Sequence, residues 1–187
     1  MRMARLFLLL LLLSLSCLVP AWAQEPVPQV GDLAPTLLGK DRDGEIVDLA
    51  AYRGKVVIVT FWASWCGPCR RELPVLDLLQ KQMGDQWLRI IAVNVQDSAD
   101  DYRDMMRQMR GFSLLQARDR DGSIAGRYGV RAYPNLWMID MQGKVVSHHL
   151  GYGDGSFEAI TAEIRKLLTE EMHRQNAAKA APAEVAV

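Results

Sequence analysis

Cys66 and Cys69, in the stretch Trp65-Cys66-Gly67-Pro68-Cys69, are the side chains of this chain best suited by type and spacing to reversible chemistry. They follow a β-branched run, Val56 to Trp62, and precede a helical pattern from Arg70 to Met83. With two residues between them, both thiols can share one face of a helix's first turn, close enough to bridge. A sulfur at a helix N-terminus meets the positive end of the macrodipole and unpaired backbone N–H groups, which favours its thiolate. Pro68 is tolerated there because first-turn N–H groups have no intrahelical acceptor. The expected chemistry is a redox-active Cys66–Cys69 disulfide that opens and closes. A fixed structural disulfide and half of a metal site are the competing readings.

Other reactive-looking groups carry blander explanations. His148 and His149 are adjacent on a strand pattern, so they point to opposite faces and form no joint site. Met105, Met106 and Met109 recur at helical spacing with Tyr102, the signature of a core face rather than a soft-metal surface. Asp119-Arg120-Asp121-Gly122 begins like a calcium loop but lacks the later ligands, and reads as a turn. No metal site is expected, and no cofactor beyond the cysteine pair.

The bulk of the chain narrows the function classes. Its 187 residues suit one domain with appendages, and 22 basic residues balance 22 acidic ones. With no basic helix or polybasic run, nucleic-acid binding has no electrostatic footing. Arg2 and Arg5 precede an apolar stretch from Leu6, and Ala21-Trp22-Ala23 supplies small residues at −3 and −1, so residues 1–23 read as a secretory signal peptide. An uncleaved anchor is the rival, although Leu6 to Val19 as a helix spans only ~21 Å against a hydrocarbon core of ~30 Å. Lipoprotein processing at Cys17 is disfavoured by the preceding Ser14-Leu15-Ser16. Once the signal is removed, Cys66 and Cys69 are the only cysteines left, a self-contained pair.

The elements that must position the pair follow from pattern. Residues 24–30, with Pro26 and Pro28, form an extended leader; residues 31–172 form the domain; residues 173–187, Ala-rich and polar, are expected to be disordered. Within the domain the reading is an N-terminal hairpin around Asp41-Arg42-Asp43-Gly44, the buried strand Val56 to Trp62, and the helix after Cys69, kinked at Pro74 and capped by Gly84. The strand Leu88 to Val95 follows, then a helix capped by Ser98 and Asp101. After a turn at Asp119 to Gly122 come a short helix, a hairpin from Leu136 to His149, and a last helix from Ser156. That last helix presents Phe157, Ile160, Ile164, Leu167 and Leu168 on one face. Hairpin, then β-α-β-α, then β-β-α makes an α/β fold: a mixed central sheet with helices on both faces.

With these pieces in order, the chain resembles the exported TlpA/ResA-type thioredoxins, which include the cytochrome c maturation oxidoreductases. The resemblance rests on Phe61 to Cys69, Val30-Gly31-Asp32-Leu33-Ala34-Pro35, Gly54-Lys55-Val56-Val57, Arg70-Arg71-Glu72-Leu73-Pro74, Val93-Asn94-Val95 and Gly129-Val130-Arg131-Ala132-Tyr133-Pro134. It spans roughly Val30 to Leu168 and implies a thioredoxin-like fold with an added N-terminal β-hairpin. It also implies that Pro134 follows a cis bond and packs against the cysteines, so that Trp65, Gly67, Pro68, Tyr133 and Pro134 form the client-binding groove. Many relatives carry threonine after this proline, where this chain has Asn135. Cytosolic thioredoxins hold a buried acid at the position of Thr60; the exported branch places a glutamate after the motif, which Glu72 matches, three residues after Cys69 on the same helical face.

The resemblance therefore implies a thiol–disulfide oxidoreductase with Cys66 as attacking thiol, Cys69 as resolving thiol and Glu72 as proton acceptor. The Gly-Pro dipeptide inside the pair is that of thioredoxin, at about −270 mV against about −120 mV for the oxidant DsbA, a gap of roughly 7 kcal/mol for two electrons. That favours a periplasmic reductant, acting as a monomer in cell redox homeostasis. Its electrons would come from a membrane donor of the DsbD/CcdA type. Its clients would be protein disulfides, such as those of apocytochrome c or copper-site assembly factors. A disulfide oxidase or isomerase, a copper-handling metallochaperone, and a peroxidase of the AhpC/TSA and Redoxin kind stay open as alternatives.

Overall fold

A computed structural model describes residues 26–180, so the signal segment with Cys17, Gln24 and Glu25 of the leader, and residues 181–187 of the tail lie outside the described residues. The elements in chain order are β1 (Leu37–Lys40), β2 (Ile46–Asp48), a 3-10 turn (Leu49–Tyr52), β3 (Val56–Trp62), α1 (Gly67–Met83) and β4 (Leu88–Val95). They continue with α2 (Ala99–Gln108), β5 (Leu115–Asp119), α3 (Ser123–Arg127), β6 (Asn135–Ile139), β7 (Val145–Leu150) and α4 (Ser156–Ala180). The strands make one mixed sheet in the order β2-β1-β5-β4-β3-β6-β7.

β3 is the middle of this assembly. All seven of its residues are buried, and the strand period sends Val56, Ile58 and Trp62 into one core cluster and Val57, Val59 and Phe61 into the other. It pairs parallel to β4 from Val56↔Leu88 to Trp62↔Asn94, and antiparallel to β6 from Val57↔Ile139 to Phe61↔Asn135. A continuous apolar run is what two covered faces require. α1, α2 and α4 lie over the first cluster, and α3 with the 3-10 turn over the second.

Two expectations are corrected. The sequence reading has no strand between α2 and the turn at Asp119, yet β5 runs there, parallel to β4 from Ile91↔Leu115 to Val95↔Asp119. Gln116, Arg118 and Asp119 hid it, since polar residues on a sheet-centre strand break the apolar pattern and have weak strand propensity. Secondly, residues 173–180, expected to belong to a disordered tail, continue α4 to Ala180. The residues after Leu168 are mostly strong helix formers, so a helix anchored by buried Ile160 and Ile164 propagates through them. Phe157, assigned to that buried face, is 41% exposed.

The readings of the α1 C-cap and of the methionine face hold. Cys66 is the N-cap of α1 and Gly84, at φ 70°, its C-cap, with the helix continuous through Pro74. Gln80 of α1 is buried and fastens the helix to β4: its Nε2 donates to Leu88 O (2.9 Å) and its Oε1 accepts from Ile90 N (2.7 Å). Met105, Met106 and Met109 are core, in contact with the cluster under α1. No helix among the described residues is long and apolar enough to cross a membrane.

Candidate active site

β3 ends at Trp62 in the middle of the sheet, and the chain turns there into α1, so the cysteine pair sits where the parallel strands finish. The turn is closed by Cys66 N–H to Ala63 O (3.1 Å) and Arg70 N–H to Cys66 O (3.2 Å). Cys66 and Cys69 are joined as a disulfide with Cα atoms 5.3 Å apart, inside the range that needs no backbone movement to bridge. Cys66 Sγ also accepts the Cys69 N–H at 3.2 Å. The sulfur thus takes the N-cap role that a hydroxyl or carboxylate normally fills, and the Cys69 N–H, a helix-start donor that favours a thiolate, is aimed at it.

Access is narrower than an exposed helix end suggests. Cys66 is 4% exposed and Cys69 is fully buried. Around the slit stand exposed Gly67, half-buried Pro68 and Trp65, which at 74% exposure is the most open large apolar side chain described. Trp65 meets the Tyr133 ring edge-on at 5.7 Å, and the Tyr133–Pro134 bond is cis. Of the predicted groove residues, Trp65 and Tyr133 are thus in contact. Trp62, by contrast, is wholly core.

Glu72 lies one turn beyond Cys69, on the side of α1 that faces β3, and is 1% exposed. Its Oε2 accepts a 2.7 Å hydrogen bond from Thr60 Oγ1. Thr60 points to this face because it shares the strand parity of Ile58 and Trp62. Burial raises the Glu72 carboxyl from 4.5 to about 7, a rise that the Thr60 hydroxyl moderates. The Tyr152 phenol is also raised, by burial first and then by the Glu72 and Glu158 carboxylates.

Sequence reasoning missed Asp97. It follows β4 and looks like an ordinary loop acid, but it is 8% exposed. Its Oδ2 accepts from Ser64 N–H (2.7 Å) and from Asn94 Nδ2 (2.6 Å), while its backbone O accepts from Arg118 Nη2 (2.8 Å). The loop just before Cys66 is thereby tied to β4 and β5. The only signal was indirect: an acid three residues after a strand-end asparagine.

Asn135 turns away from the groove. It is buried, its Oδ1 accepts from Trp137 Nε1 (2.7 Å), and that oxygen lies 2.8 Å from His148 Nε2. His148 stacks on Trp137 at 4.2 Å, whereas His149, on the opposite face, contacts Glu163 of α4 at 2.9 Å. The two histidines are separate, as strand geometry demands. Among the described residues no group of three or more His, Cys, Asp or Glu could hold a metal ion.

Residues 30–148 match the profile of the AhpC/TSA family. Thiol-disulfide oxidoreductase ResA of Bacillus thuringiensis (strain Al Hakam) is 31% identical over 130 residues, covering 70% of this chain and 75% of the relative. ResA of Geobacillus thermodenitrificans is 32% identical over 145 residues, covering 78% and 83%. Among solved structures, a putative thiol:disulfide interchange protein DsbE from Chlorobium tepidum superposes with TM-score 0.70 at 32% identity, over 75% of this chain and 99% of that one. The pneumococcal exposed lipoprotein thioredoxin Etrx1 gives TM-score 0.61 at 31% identity, over 71% and 98%.

Proposed function

The chain belongs to the AhpC/TSA family and is a thiol-disulfide oxidoreductase of the ResA type with a thioredoxin-like fold; from that premise we propose that it reduces protein disulfides outside the cytoplasm, with Glu72 as its internal proton acceptor. The observation that carries the reading is a buried carboxyl, raised to about 7, one helical turn from the more buried of two bridged cysteines.

In the reduced enzyme the Cys66 thiolate attacks one sulfur of a client disulfide. A Cys66–client bond forms, the client S–S bond breaks, and the departing client sulfur takes a proton. Glu72, ionised, removes the proton from the Cys69 thiol, and the resulting thiolate attacks Cys66 Sγ. The Cys66–Cys69 bond forms, the second client thiolate leaves, and Glu72 later releases its proton towards solvent. Two electrons have passed to the client. A donor dithiol of the DsbD/CcdA membrane type restores the reduced pair by the reverse exchange. No cofactor enters the cycle, and the protein acts as a monomer.

Trp65 and Tyr133 form the apolar rim on which the client segment lies, with exposed Gly67, half-buried Pro68 and buried Pro134 completing the groove. Disulfides of apocytochrome c or of copper-site assembly factors fit such a reductant. Export rests on the signal-like residues 1–23 and on an even, self-contained cysteine pair.

The test is the midpoint potential of the pair together with trapping of partners by a Cys69→Ser variant in the native envelope. The reading expects a potential near that of thioredoxin, about −270 mV, and mixed disulfides with envelope proteins. A potential above about −170 mV reverses the direction to oxidase or isomerase.

A further inference from the structure

A carboxyl that trades protons with Cys69 must be kept from trading them freely with solvent, and the surroundings of Glu72 show what does so. From below it is closed by β3, where Thr60 Oγ1 donates to its Oε2 (2.7 Å). The sheet register runs from Thr60 to Leu136 of β6 and on to His149 of β7. Residues level with one another on neighbouring strands present the same face. α4 covers the far part of that face: Ile160 and Ile164 enter the cluster that holds Leu73 and Leu136, and Glu163 meets His149 (2.9 Å). Glu72 thus lies over β3 on the face that α1 and α4 share. The segment leading into α4, Gly151 to Gly155, stands at the end of this face nearest the cysteines, since it follows Leu150, the partner of Asn135.

That segment is fastened on both sides of one aromatic residue. Gly151 N–H donates to Pro134 O (2.9 Å), and Gly153 N–H to Ser156 Oγ at the start of α4 (3.0 Å). Gly151 has φ +80°, a conformation that turns the chain out of β7 and that only glycine adopts freely. Tyr152 is therefore a half-buried ring between two held glycines, beside the cis Pro134. Two carboxylates act on its phenol: Glu72, and the exposed Glu158 of the first turn of α4. Burial and the Thr60 hydroxyl are the influences on Glu72 itself. A half-buried ring close enough to feel a buried carboxylate stands between that carboxylate and water.

We propose that Tyr152 is a positioning residue for thiol–disulfide exchange: its ring closes the solvent side of Glu72, so that the carboxyl exchanges its proton with Cys69 in preference to bulk water. The inference rests on Glu72 as the proton acceptor. The ring takes no part in bond making; the proton leaves Cys69 Sγ for a Glu72 oxygen, and no electron moves in that transfer.

The experiment follows Glu72 itself, by the carboxyl 13C titration of the oxidised full chain, alongside the pH profile of single-turnover disulfide reduction by the reduced chain. Tyr152→Ala admits water, so the titration midpoint should fall from about 7 by about one unit, and the rate inflection should fall with it. Tyr152→Phe keeps the ring and should leave both in place. In a Glu72→Gln background, Tyr152→Ala should leave the pH profile of the rate as it was. A carbon titration that stays at the parent value in Tyr152→Ala overturns the proposal, whatever the rates do. An equal fall in Tyr152→Phe overturns it too, because the hydroxyl rather than the ring would then be responsible. A titration that falls while the rate inflection stays upholds the cover and overturns Glu72 as acceptor.

Discussion

Replacing Glu72 with Gln tests the buried carboxyl through stability and rate over one pH window. Folding raises Glu72 from 4.5 to about 7. One unit is worth about 1.4 kcal/mol, so the ionised group costs the fold about 3 kcal/mol. The sign follows from proton counting. Below about pH 4.5 Glu72 is protonated in both states. Between about 4.5 and 7 the unfolded chain releases this proton and the native one keeps it, so stability falls as pH rises; above about 7 the loss is complete. Urea unfolding of the oxidised protein from pH 4.5 to 8.5 should show this decline, and Glu72→Gln should flatten it and be more stable than the parent at pH 8. In stopped-flow reduction of a model disulfide, the parent's rate should inflect near pH 7. The variant should lose the inflection and run about a hundredfold slower at pH 8. Thr60→Val removes the hydrogen bond that lowers the Glu72 value, so the inflection should move up by about one unit. A parent whose stability is level across the window refutes the burial argument, and an inflection that survives in Glu72→Gln assigns the proton to another group.

Three further outcomes follow from the geometry. Gly39→Ala places a Cβ 2.5 Å from the Arg118 carbonyl at φ +102°, so the β1–β5 contact must shift and unfolding free energy should drop by at least about 2 kcal/mol in urea melts. Trp65→Ala removes a 74% exposed ring, so stability should change by less than about 0.5 kcal/mol while KM for a protein disulfide rises and that for a small disulfide does not. Asp97→Ala leaves Ser64 N–H and Asn94 Nδ2 without their shared acceptor and should cost about 2–3 kcal/mol. It should also move the pH profile of Cys66 alkylation in the reduced protein; a profile identical to the parent's would limit Asp97 to structural support.

The sequence alone was enough to place the cysteine pair between a buried strand and a helix, because those readings depend on local pattern. A seven-residue apolar run reports two covered faces, and two thiols with two residues between them report a helix turn. Glu72's position on the face of Cys69 was likewise a matter of helical period. What it meets on that face was decided by the sheet: Thr60 lies twelve residues earlier, and their 2.7 Å contact exists only because α1 packs back over β3. β5 was invisible for the same reason, since Gln116 and Arg118 take their strand conformation from pairing with β4 rather than from their own preference. Asp97 reads as a plain loop acid until the register of β4 against β3 sets it beside Ser64. Local periodicity is written into neighbouring residues. Burial, and with it every altered proton affinity at this site, arises only when distant segments exclude water from one another.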